Sequence, residues 1–170
     1  MKEISPINIP ENFIKLISND WMLVTSGDEK CYNMMTASWG EVGELWGKHV
    51  VTIYVRPERY TDEFIARTKK FTLSFFDAEM KKVLGVMGKE SGRNFDKMNF
   101  EGLTAKSLSS GQVTFEEARL VLDCEVLYAD ELKSDKFLDK ESLVKWYNEN
   151  PGGSLHNIYI AEIVGAWINE

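Results

Sequence analysis

The sequence predicts a mainly β fold of the α+β class, an antiparallel sheet or closed barrel with helical insertions. Two observations predict it. Segments rich in β-branched and aromatic residues outnumber helical ones, and the two kinds do not alternate as a doubly wound βαβ chain requires. With no internal repeat and no Pro/Gly/Ser linker, the 170 residues are expected to form one domain, 1–170.

The elements follow in order. In "PENFIKLIS" the apolar Phe13, Ile14, Leu16 and Ile17 fit one helical face, so a short helix is expected to open the fold. "WMLVTSG" reads as a strand that turns at Gly27-Asp28, and a further strand begins at Cys31. Val50 to Val55 is β-branched and aromatic, and Pro57 discourages continuation of that ladder. "YTDEFIARTKK" predicts a helix with Thr61 as N-cap and Asp62 and Glu63 in its first turn. "FTLSFF" is the next strand. "DAEMKKVLGVMGK" predicts a helix capped by Asp77, with Met80, Val83, Leu84 and Met87 on its buried side. "SGRNFDKMNFEG" is a polar loop, and Val113 to Leu132 forms one or two meandering strands. "DKESLVKWYNEN" is a short helix ended by Pro151-Gly152-Gly153, before a last strand in "LHNIYIAEIVGAWI".

Composition removes several function classes. The content of 44% hydrophobic and 28% charged residues is that of an ordinary soluble globular chain. A net charge of −7 argues against a nucleic-acid surface, though a local arginine cluster can still hold a small anion. No apolar run approaches a membrane span and no signal-peptide core is visible, so the expectation is a cytoplasmic protein with no membrane partner. Cys31, Cys124, His49 and His156 show no metal-ligand spacing, so no metal site is expected, and both cysteines read as small buried hydrophobes. G-x-G-x-x-G, P-loop, H-E-x-x-H and G-x-S-x-G motifs are all absent, which disfavours nucleotide-fold and hydrolase chemistry.

Three fragments remain that suit a ligand. Arg56 and Arg59 straddle Pro57 at a strand end, and Thr61 opens a helix, a corner suited to a phosphate monoester. The plain alternative pairs these arginines with Glu58, Asp62 or Glu63 on the surface. In "NMMTASW", Asn33, Thr36 and Ser38 offer hydrogen bonds, Ala37 permits close approach and Trp39 presents a flat face. Its alternative is a strand-to-loop transition with Trp39 in the core. In "SGRNFDKM", Arg93 and Lys97 are placed to reach a phosphate or ring carbonyl, or else belong to a solvated loop.

Taken in order, "NMMTASWG", "VRPERYTDEF", "FTLSFF", "SGRNFDKM" and "FEEARLVLDCEVLY" resemble the flavin reductase-like family of FMN-binding split barrels, which includes flavoredoxin. The resemblance implies a Greek-key split β-barrel that binds one FMN per subunit, usually within a homodimer. It implies that Asn33, Met35, Thr36, Ala37, Ser38 and Trp39 line the ring and ribityl chain. It places Arg56, Arg59, Tyr60 and Thr61 at the phosphate end, and Ser91, Gly92 and Lys97 on a loop that approaches the cofactor. His156 falls where some flavin reductases of this group carry a histidine beside the nicotinamide or flavin site, although a surface histidine on the last strand fits equally. Asn94 departs from the acid usual in this loop.

The expected function is an FMN-binding oxidoreductase, an NAD(P)H-dependent flavin reductase that passes electrons to a flavin, metal or protein acceptor. The alternatives are a flavoredoxin-like electron carrier with a redox protein partner, or a non-enzymatic flavin- or haem-binding sensor on the same barrel. No catalytic nucleophile is required, because the cofactor carries the hard chemistry.

Overall fold

A computed structural model describes residues 1–148 and 153–169. Among them the strands are β1 (Lys2–Glu3), β2 (Met22–Asp28), β3 (Cys31–Ala37), β4 (Gly40–Leu45), β5 (Lys48–Val55), β6 (Lys70–Phe75), β7 (Ala105–Ser107), β8 (Val113–Phe115), β9 (Leu120–Glu131) and β10 (Asn157–Ile168). The main sheet runs β3-β2-β6-β9-β10-β5-β4, with β1 added to β10, and β7-β8 form a separate ribbon. Every pairing is antiparallel.

The sheet curls around one interior. Met22 and Val24 of β2, Met35 of β3, Val51, Ile53 and Val55 of β5, Leu73 of β6, Leu122 of β9 and Ala161 of β10 belong to one buried cluster. A flat sheet would keep its edge strands β3 and β4 far apart. Here Met35 and the partly buried Val42 share that core, as the ends of a split barrel must. On the outer face Leu23, Met34 and Val121 pack against Leu84 and Met87 of a helix over Lys81–Lys89 and against Val113 and Phe115 of β8.

Among the described residues four short helices lie around the barrel: α1 (Phe13–Lys15), α2 (Tyr60–Thr68), α3 (Lys81–Lys89) and α4 (Lys140–Leu143). Helix α1 is capped by Asn12 and widens into a π-turn over Leu16–Asp20 that buries Leu16 and Ile17, but Ile14 is 82% exposed and leaves the predicted face. Of the four residues expected on the buried side of α3, Leu84 and Met87 are buried and Met80 and Val83 partly so. The helix starts at Lys81 after a single 3-10 turn, so the expected cap Asp77 precedes that turn instead and its side chain makes no capping bond. Helix α4 starts at Asp139, whose carboxylate accepts from Glu141 N at 3.0 Å, and continues as a wider turn over Val144–Asn148. The predicted stop at Pro151-Gly152-Gly153 lies largely outside the described residues.

Several expectations are corrected. Strand β2 continues through Gly27-Asp28, and the turn falls on Glu29-Lys30, where the Asp28 carboxylate accepts from Lys30 N (2.9 Å) and Cys31 N (3.1 Å). Strand β4, in glycine-rich "GEVGEL", was not anticipated. Its hairpin with β5 turns on Trp46 (φ 56°) and Gly47 (φ 71°), a two-residue connection whose left-handed geometry matches strand twist. Cys124 is buried as predicted, but Cys31 is exposed. Among the described residues no helix is long and apolar enough to cross a membrane.

Candidate functional site

From Val51 onward strand β5 alternates between buried and half-buried residues. Val51, Ile53 and Val55 enter the core, so Thr52, Tyr54 and Arg56 share the other face. Strand β3 ends beside it, and the chain then passes through Ser38 and Trp39. Between these segments lies a cavity of about 290 Å³, lined by Met35, Thr36, Ala37, Ser38, Trp39, Tyr54, Arg56, Arg59, Trp146 and His156. A second cavity of about 210 Å³ shares Met35 and Arg59 with the first. Its wall adds Asn33, Tyr60, Thr61, Ser91, Gly92 and Lys97, with Glu58, Lys89 and Glu90. The residues that the resemblance assigns to the cofactor, with His156, thus line one of two adjoining cavities, whereas Arg93, considered for a phosphate or ring carbonyl, lines neither.

The first cavity is aromatic. Trp39 meets Trp146 edge to face at 5.1 Å between ring centroids and lies 5.1 Å from the His156 ring. Tyr54 donates to Glu41 at 3.0 Å, and burial first, then that carboxylate, push its phenol up to about 12. Arg56 donates to the Trp146 carbonyl at 3.1 Å and lies over the Tyr147 ring at 5.6 Å. His156 is 8% exposed, with Nδ1 at 2.8 Å from the Tyr147 hydroxyl. Burial, and secondarily Arg56, lower its pKa to about 4, so the ring is neutral at pH 7.

The second cavity is cationic. Arg59 donates to the Gly88 carbonyl at 2.7 Å, at the C-terminus of α3. Lys97 is 4% exposed and donates to the carbonyls of Met34 and Met87, each at 2.8 Å. The helix dipole favours cations there, and two donations leave the ammonium a third hydrogen. Among the described residues neither cation lies in an ion pair. Burial, with Arg59 second, lowers the Lys97 pKa to about 8. Two buried or half-buried positive charges therefore share a cavity whose wall also holds Glu58 and Glu90, and neither is ion-paired with them, so an anion between Arg59 and Lys97 would be stabilised.

Local roles differ from the expected ones at three residues. Arg59, not Thr61, is the N-cap of α2. Asn33 reaches across from β3; with its amide oxygen turned toward α2 it accepts from Thr61 N (3.2 Å) and Thr61 Oγ1 (2.8 Å). Thr36 donates its hydroxyl to the Leu84 carbonyl at 2.6 Å and so anchors α3. A surface pair of the kind considered for Arg59 forms at Arg93, which pairs with Glu63 and stacks on Tyr60, while Arg56 interacts electrostatically with Glu58. Asp62 turns away from the helix end to accept from Tyr159 at 2.7 Å and Asn157 at 3.0 Å.

Sequence reasoning missed Tyr54 and Trp146. Tyr54 carried a signal, since it lies two residues before Arg56 on the same strand face. Trp146 carried none, because the fold alone brings it beside Trp39.

The sequence model of the flavin reductase-like domain matches residues 15–170. The chain belongs to the flavin reductase-like family. Among solved structures it is similar to an FMN-binding protein from Thermus thermophilus with bound p-hydroxybenzaldehyde, at TM-score 0.68 and 19% identity, covering 100% of this chain and 83% of that one. Flavoredoxin from Methanosarcina acetivorans gives TM-score 0.68 and 19% identity over 100% and 77%. The flavin reductase of styrene monooxygenase from Pseudomonas putida S12 gives 0.62 and 14% over 92% and 87%. No curated protein matches the chain at a significant level. At these identities the solved structures establish the fold, an antiparallel barrel with few helices.

The close approach of Gly92 to β3 yields a first prediction. A Cβ there would fall 1.9 Å from the end of the Asn33 amide and 2.8 Å from its Cγ. Asn33 is buried and engaged with Thr61, so it cannot swing aside freely. Gly92→Ala is expected to cost about 1–2 kcal/mol in urea unfolding. Unchanged stability would show that the loop yields instead.

Proposed function

We propose that the chain is an FMN-binding oxidoreductase, an NAD(P)H-dependent flavin reductase that passes electrons to a flavin, metal or protein acceptor. The observation that carries this reading is the junction of the two cavities, one aromatic and one holding the cations Arg59 and Lys97 outside any ion pair, at Arg59 and Met35. FMN has the matching halves, a planar ring and a phosphate dianion. The residues present fit it: Arg59 and Lys97, with Thr61, Ser91 and Gly92, would hold the phosphate end, and Met35 to Trp39 would line the ring.

When bound, FMN supplies a ring that accepts and returns a hydride. The protein's own contribution is binding, orientation and exclusion of water. Trp39 and Trp146 wall the ring cavity against solvent, and neutral His156 at its edge offers a hydrogen bond without adding charge.

The test is the absorption spectrum of the purified protein after FMN addition, then NADH or NADPH without oxygen. Flavin bands that bleach support the reductase and identify its donor. Bands that persist favour a second reading, an electron carrier reduced by a protein partner, to which the similarity to flavoredoxin gives weight. A protein that takes up no FMN overturns both.

A further inference from the structure

Residues 132–156 join β9 to β10 by way of α4. Within this connection, described as far as Asn148 and again from Gly153, Tyr147 is the buried aromatic of the turn that follows α4. Its ring meets Phe137 at 5.7 Å and the His156 imidazole at 5.6 Å, both edge to face. Trp39 closes the other side of the imidazole at 5.1 Å. The ring of His156 is thus held between two aromatic walls and cannot turn freely.

The hydrogen bond between Tyr147 and His156 fixes more than position. Among the described residues, His156 Nδ1 is the only hydrogen-bond partner of the Tyr147 hydroxyl, and Nε2 has no protein partner. Two arrangements of the protons are conceivable for a neutral imidazole. If Nδ1–H donated to the phenol, the buried phenolic hydrogen would have no acceptor, at a cost of about 1–3 kcal/mol. If the phenol donates, both groups are satisfied and the remaining ring hydrogen lies on Nε2, in a residue that lines the aromatic cavity. Arg56, 5.6 Å over the Tyr147 ring, favours the same choice, since a nearby cation makes a phenol the better donor. Burial keeps the phenol protonated as well.

The geometry points to Tyr147 as a positioning residue that holds His156 as the Nε2–H tautomer and so presents a hydrogen-bond donor to the ring cavity. The acceptor it suits is a carbonyl or ring nitrogen at the edge of a planar heterocycle. Its effect on turnover rests on the flavin reading above; the tautomer itself does not.

The chain has two histidines, so nitrogen-15 labelling of histidine gives a spectrum that His156→Gln assigns directly. At pH 7.5 without FMN, His156 is expected to show a pyrrole-type Nε2 and a pyridine-type Nδ1. In Tyr147→Phe the two signals are expected to move toward each other as both tautomers populate. A pyrrole-type Nδ1 in the unmodified protein overturns the proposal, and so does an unchanged spectrum in Tyr147→Phe. With FMN, Tyr147→Phe is expected to retain affinity within about twofold while reduction by NADH or NADPH slows on the order of tenfold, the worth of one hydrogen bond. Unchanged reduction at full FMN occupancy overturns the positioning role. Failure of the unmodified protein to bind FMN would remove the flavin reading, while the tautomer would still decide the role of Tyr147.

Discussion

Arg59→Ala is expected to raise the dissociation constant for FMN about 100-fold, whereas Lys140→Ala should change it less than twofold. The size follows from the loss of charge-assisted hydrogen bonds, worth about 1.5–3 kcal/mol each, in a site partly closed to water. Arg59 lines both cavities, so its guanidinium stands where a ring-bearing phosphate must pass from one to the other. Its present bonds to the Gly88 carbonyl (2.7 Å) and the Met87 carbonyl (3.5 Å) use one hydrogen on each terminal nitrogen of a five-donor fork and leave others for an anion. Lys140 lies exposed at the start of α4, outside either cavity, and controls for net charge. Fluorescence titration of FMN against the two variants measures the difference. Arg59→Lys separates charge from geometry: it should recover only part of the affinity, because an ammonium cannot pair two oxygens at once. Equal affinity of Arg59→Ala and Lys140→Ala would move the anion elsewhere.

The same corner explains why Lys97 is buried at all. A lysine in an apolar position ordinarily costs several kcal/mol, and Arg59 beside it adds repulsion. Two carbonyls offset part of that cost, from Met34 on β3 and Met87 on α3. Lys97 therefore ties the outer helix to the barrel edge that forms the site. A bound dianion would raise the Lys97 pKa from about 8. Proton uptake on FMN binding near pH 8, measured in buffers of different ionisation enthalpy, is the expected sign of this coupling.

Much of this arrangement is legible in the sequence. Strands β5, β6 and β10 announced themselves through β-branched and aromatic residues, and α3 through the spacing of Leu84 and Met87. Strand β4 did not, because Gly40 and Gly43 weaken strand propensity and its stability comes from pairing with β5. The site residues were legible as short ordered fragments, yet their individual roles were not. Nothing in "RPERYT" says that Asn33, some thirty residues earlier, will satisfy the first turn of α2 in place of the predicted Thr61 cap. Nor can spacing show that Thr36 will spend its hydroxyl on the Leu84 carbonyl. Those choices are made by tertiary neighbours, as is the placing of Trp146 against Trp39.

Acid should destabilise this fold through His156 in a narrow window. Burial, reinforced by Arg56 and opposed by Glu58, holds the folded ring at about 4, against 6.5 for an ordinary imidazole. Above pH 6.5 the ring is neutral in both states and contributes no pH dependence. Between 6.5 and 4 the unfolded chain binds the proton that the folded chain refuses, so stability falls as pH falls. A displacement of that size corresponds to about 3 kcal/mol once pH reaches 4. Other groups titrate in this range, among them buried Asp123 with its raised pKa. The informative quantity is thus the difference between the unmodified protein and His156→Gln, each unfolded by urea at pH 7 and at pH 4.5. The variant, which has nothing to protonate at this position, should lose less stability on acidification by roughly 2–3 kcal/mol. Parallel losses in both proteins would mean that the ring takes up its proton in the folded state. A charged imidazolium would then face Arg56 and the aromatic walls, and His156 would no longer offer the neutral hydrogen bond that the proposed chemistry assigns to it.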